Sequence, residues 1–146
     1  MRGVLAVIAG IVAAFAVQSL VDWISYQFYP AAITDMWDRR QISEAMAARP
    51  VGALLLTVLG YLLGGLAGGA TGKLIHRRRW ACWTPVGIFA LTALVLALAY
   101  PIAERAAFGA FLAALIGGLV ANHLVADGAP ELEAEAVAES ATDASV

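Results

Sequence analysis

The sequence is poor in cysteine and in charge. A single cysteine, Cys82, excludes an internal disulfide and any metal site built on a cysteine cluster. Charged residues make up 14% of the chain, against about a quarter in a soluble domain, so little charge is available to clothe a water-facing surface. The last twenty residues, 127–146, contain no Lys or Arg but hold Asp127, Glu131, Glu133, Glu135, Glu139 and Asp143, six of the eleven acids. Outside that segment nine basic residues face five acidic ones, a net of +4. The formal charge of −2 therefore describes an acidic tail on a basic body, and no nucleic-acid partner is expected from it.

What is abundant is apolar sequence, 62% of the chain. Four long apolar stretches run over about 3–24, 51–75, 83–100 and 106–125. Each is close to the ~20 residues with which a helix crosses a hydrocarbon core. Lipid offers the backbone no hydrogen-bond partners, so such stretches must be helical. A soluble four-helix bundle would need a polar face on each helix, and Gly3–Val17 and Leu91–Ala99 have almost none. The expected fold is all-α: an integral membrane four-helix bundle in residues 1–126, followed by a disordered acidic tail in 127–146. Arg2, the apolar run and Ala14-Phe15-Ala16 imitate a signal peptide. The apolar character continues to Trp23-Ile24, which favours an uncleaved first span.

Short links at His76–Arg79 and Pro101–Arg105 make the second, third and fourth spans sequential antiparallel neighbours, joined by tight 2-3 and 3-4 hairpins. The first loop, about 27–49, has room for structure. Asp38–Ala48 contains good helix formers and no Gly or Pro, which predicts a short outer helix, with Trp37, Ile42 and Met46 at roughly helical spacing. Pro50 suits the first turn of the next helix. Arg2, Lys73, Arg77, Arg78 and Arg79 flank one side of the spans; Arg39, Arg40, Arg49 and Arg105 flank the other, mixed with Asp35, Asp38, Glu44 and Glu104. The dense cluster places both termini in the cytoplasm. Tyr26, Phe28, Tyr29 and Trp37 outside, and Trp80 and Trp83 inside, stand as interfacial anchors.

The strongest local pattern is glycine. Gly60, Gly64, Gly68 and Gly72 recur every fourth residue beside Gly65 and Gly69, forming stripes along one side of a helix. The fourth span offers Gly109, Ala113, Gly117 and Ala121 next to Ala106, Ala110, Ala114 and Gly118; the first offers Ala6, Gly10 and Ala14. Small residues let helix backbones approach in lipid. The stripes serve either close packing within the chain or assembly with itself or other membrane subunits. Gly72-Lys73 also imitates a phosphate loop, but position 67 is Ala and position 74 is Leu, where a Walker A loop needs Gly and Ser or Thr.

Ionisable groups avoid the membrane midplane. Asp22 lies about 28 Å along the first helix from Gly3, near the outer boundary. Gln18, Asp22 and Ser25 share one face, an outward polar pocket or an ion pair of Asp22 with Arg49 or Arg105. At the inner boundary Lys73, Arg77, Arg78 and Arg79 suit anionic lipid headgroups. His76, His123 and Cys82 have no metal-site spacing, and Ser19 and Ser25 have no base but Asp22, so neither a cofactor nor an enzyme activity is expected.

Asp22 followed by Phe28-Tyr29-Pro30, Arg49-Pro50-Val51-Gly52-Ala53-Leu54-Leu55, and the glycine-rich 60–72 segment resemble a family of small, uncharacterised four-helix bacterial inner-membrane proteins. The resemblance spans about residues 3–125 and implies a bacterial inner-membrane location without an activity. The function expected is that of a non-enzymatic multi-pass protein, a structural or accessory subunit or homo-oligomer. The alternative is a small oligomeric transporter or channel with a polar pocket near Asp22.

Overall fold

A computed structural model describes residues 2–30, 38–99 and 104–125 of the 146. Five helices follow in order: α1 Arg2–Phe28, α2 Arg39–Ala47, α3 Val51–Ile75, α4 Arg79–Ala99 and α5 Glu104–Leu124. α1, α3 and the 106–124 part of α5 are long and apolar enough to cross a membrane; α4 contributes a shorter apolar stretch, Arg79–Val95. α1 runs four residues beyond the expected Ile24, because nothing before Pro30 breaks it and Tyr29 N–H still bonds the Ser25 carbonyl at 2.8 Å. α4 starts at Arg79 rather than 83 and carries Pro85 inside it. The acidic tail and Trp37 lie outside the described residues.

α2 begins where Asp38 caps it. The Asp38 carboxylate accepts the Arg40 N–H at 2.9 Å and the Gln41 N–H at 3.4 Å, satisfying donors that a helix start leaves open. Among the described helices α2 packs on none of the others. Pro50 is the N-cap of α3, one position before the first turn; its carbonyl accepts the Ala53 N–H at 3.0 Å.

The remaining four helices form one bundle around α3, which touches α1, α4 and α5, while α1 and α5 do not meet. The close contacts fix the directions. Gly60, Gly64 and Gly68 of α3 face Gln18, Ala14 and Gly10 of α1, descending against ascending, so α1 and α3 are antiparallel. Gly64, Gly69 and Gly72 meet Phe89, Cys82 and Ala81, which makes α4 antiparallel to α3. Gly65 meets Ala114 and Gly69 meets Ala121; α3 and α5 run parallel. Their carboxyl ends therefore lie together, at the end where Gly3 abuts Trp80. At the opposite end the Tyr29 hydroxyl rests on Gly52.

Several of these close approaches are to backbone, which explains the glycines there. A methyl group added to Gly65 would collide with the Ala114 carbonyl oxygen, one on Gly117 with that of Leu62, and one on Gly72 with that of Ala81. Gly10 and Gly68 are reciprocal: a methyl on either would stand 2.8 Å from the other's carbonyl oxygen. With hydrogen in place of a methyl, such crossings bring Cα–H groups onto carbonyls, weak bonds that recur at helix interfaces. Ala81 is a special case. Pro85, four residues on, has no N–H to give its carbonyl, and that carbonyl faces Gly72 instead. Gly109 is the exception among the packing glycines expected from sequence. Its nearest neighbour is Val58 Cγ2 at 3.6 Å, ordinary contact with room for a methyl.

Phe89 of α4 is fully buried and packs against α1 and α3. It meets Phe15 edge-on at 5.3 Å and stacks on Tyr61 at 4.9 Å. Otherwise the buried apolar positions are mainly alanines (Ala6, Ala14, Ala53, Ala90, Ala110, Ala114), while Leu5, Ile8, Val12, Leu55, Leu91 and Ile116 point outward. A soluble protein places its large aliphatic side chains inside. Here small residues are inside and large ones outside. That is the surface of a membrane protein.

Candidate functional site

Polar side chains collect at the two ends of the bundle, with the glycine and alanine layers between them. At the end holding the carboxyl termini of α3 and α5 lies Lys73, the chain's single lysine. Its side chain is 1% exposed. The ammonium donates to the Asn122 carbonyl at 2.6 Å and to Asn122 Oδ1 at 3.1 Å. The expectation of a headgroup-binding lysine is therefore corrected. Helix side chains lean toward the amino end of their helix, so Lys73, in the last turn of α3, leans into the bundle and away from the headgroups. There it meets carbonyls that the end of α5 leaves without intrahelical donors. Two parallel helices also bring two negative dipole ends together, and a cation between them relieves that repulsion.

Around this lysine the other residues at this end of the bundle separate into two groups. Arg77, Arg78 and Arg79 are exposed on the α3–α4 connection and the start of α4, as is Trp80, whose ring lies 5.1 Å from that of His76. Cys82 is buried and its thiol donates to the Gly118 carbonyl at 3.6 Å. His123 is exposed in the last turn of α5. No group of three or more His, Cys, Asp or Glu suited to a metal ion occurs among the described residues.

The opposite half carries the face predicted from Gln18, Asp22 and Ser25. Gln18 and Ser25 are buried on the stripe that α1 turns toward α3, while Asp22 sits beside it and is exposed. Gln18 Nε2 donates to Asp22 Oδ2 at 3.1 Å. The other amide atom, Oε1, is buried and has no partner; it lies against Gly60, where an added methyl would stand 2.7 Å away. Tyr61, next to Gly60, is buried, with Thr92 of α4 among its neighbours. Thr92 spends its own proton on the Phe89 carbonyl at 2.6 Å.

The expected ion pair does not form with Arg49. Among the described residues the ion pair is Arg40 with Glu44, a 3.0 Å contact within α2; the Arg105 side chain lies outside them. Neither Ser19 nor Ser25 shares a hydrogen bond with an Asp, Glu or His side chain among the described residues. Tyr61 and Thr92 escaped notice in the sequence because they lie on different helices, and only the α3–α4 register joins them.

No protein family, curated protein or solved structure matches the chain.

Proposed function

We propose that this chain is a non-enzymatic, four-span accessory protein of a bacterial inner membrane, with both termini in the cytoplasm and α2 on the outer face. The observation that carries the reading is the self-contained bundle. Gly60, Gly64, Gly65, Gly68, Gly69 and Gly72 spend their close approaches on α1, α4 and α5 of the same chain. The glycine stripes thus serve packing within the chain, and a homo-oligomer would have to use the lipid-facing surface instead. Between Gln18 and Lys73 the interior is filled by Gly10, Ala14, Gly64, Gly68, Phe89 and Ala114. That packing favours a structural role over a transporter or channel.

Four spans require α4 to cross as well. In support, the first half of α4 pairs with α1, from Gly3 against Trp80 to Phe15 against Phe89. The cytoplasmic placement rests on Arg77, Arg78 and Arg79, and the bacterial inner membrane on the family resemblance. Two experiments test this. Reporter fusions at residue 126 and in 31–37 should read cytoplasmic and external respectively; the reverse pattern overturns the topology. Purification in mild detergent should bring a stoichiometric membrane partner with the chain. A lone monomer across several detergents would overturn the accessory role.

A further inference from the structure

We infer that Asp22 and Gln18 form a binding site for a monovalent cation at the end of the bundle opposite Lys73. The argument is an account of donors and acceptors. Gln18 Nε2 gives a hydrogen to Asp22. Thr92 gives its hydrogen to the Phe89 carbonyl. Thr57, one turn away on α3, gives its hydrogen to the Ala53 carbonyl at 3.1 Å. These donors are spent. Among the described residues, what remains unpaired is the Asp22 carboxylate beyond its single bond and Gln18 Oε1, on a residue only 7% exposed.

Both are acceptors, and one is negatively charged. A buried polar atom without a partner is costly, and a single positively charged ligand that takes oxygens from both residues relieves it. Carboxylate and amide oxygens are hard ligands, suited to an alkali cation; the same acceptors suit the N–H groups of a primary ammonium. Asp22 is exposed, so the ligand can arrive from the water or from the lipid, where an ethanolamine headgroup carries that ammonium at this depth. The shared chemistry is a small monovalent cation, and the two sources are separable.

The test uses the full chain in nanodiscs of phosphatidylcholine, whose headgroup has no N–H. Thermal unfolding is followed in sodium chloride against choline chloride at equal ionic strength, and with phosphatidylethanolamine added. One source should raise the midpoint by about 3 °C or more, and Asp22→Asn should abolish the shift while Glu44→Gln keeps it. A shift with sodium alone identifies an alkali site, and one with phosphatidylethanolamine alone a headgroup site. Gly60→Ala, which drives a methyl at Gln18 Oε1, should weaken the midpoint concentration of the effective cation roughly tenfold, a readout that stands if Asp22→Asn fails to fold. No shift under any condition, a shift that survives in Asp22→Asn, or an unchanged titration in Gly60→Ala overturns the site.

Discussion

Gly65→Ala and Gly87→Ala are the same chemical change and should move stability in opposite directions. In a helix interior, replacing Gly by Ala favours the helix by about 1 kcal/mol. At Gly87 nothing lies within 4 Å of the added methyl, so that gain stands nearly alone. At Gly65 the methyl meets the Ala114 carbonyl oxygen, with the Ala114 carbonyl carbon at 2.9 Å and its Cα at 3.0 Å. All three are backbone atoms, so no side-chain rotation makes room, and α3 and α5 must separate. Overpacking of this kind costs about 1–3 kcal/mol, at the upper end here because the separation also pulls Lys73 from Asn122. Subtracting the propensity gain leaves a loss of about 1–2 kcal/mol, roughly a 5- to 30-fold shift in the folded-to-unfolded ratio. Reversible unfolding in mixed micelles, followed by circular dichroism, measures both variants against the parent. A Gly65→Ala protein as stable as Gly87→Ala would refute close backbone packing of α3 on α5.

Lys73 should resist amine reagents in the folded protein, and Asn122→Ala should raise its labelling severalfold, read by mass spectrometry of the single lysine-containing site. Cys82 should likewise stay unlabelled by maleimide in intact membranes and react once detergent unfolds the bundle; rapid labelling in membranes would contradict its burial. Glu44→Gln breaks the exposed Arg40–Glu44 pair in α2, whose side chains are 87% and 67% exposed. Such pairs contribute at most about 0.5 kcal/mol, so the unfolding midpoint should not move measurably. Gly109→Ala, with Val58 at 3.6 Å, should be tolerated, whereas Gly117→Ala should behave like Gly65→Ala.

By itself the sequence determined the class of the protein and most of its helices. Runs of apolar residues longer than a bilayer's thickness leave the backbone no choice but helix, and Asp38 ahead of a good helix-forming run announces α2. It also located the residues that matter for packing, since four-residue glycine spacing puts them on one side of α3 whatever the partner. It did not decide what each glycine faces. That depends on which helices lie beside α3 and in which direction, a property of the assembled bundle, and so Gly65 and Gly117 meet carbonyls while Gly109 has room. Lys73 shows the same division. Beside Arg77–Arg79 it reads as one more cation at the boundary, but the tilt of its Cα–Cβ bond and the parallel end of α5 turn it inward onto Asn122. The Gln18–Asp22 bond was implicit in their spacing of four. The unpartnered oxygen against Gly60, and the nearness of Tyr61 and Thr92, came only from packing three helices together.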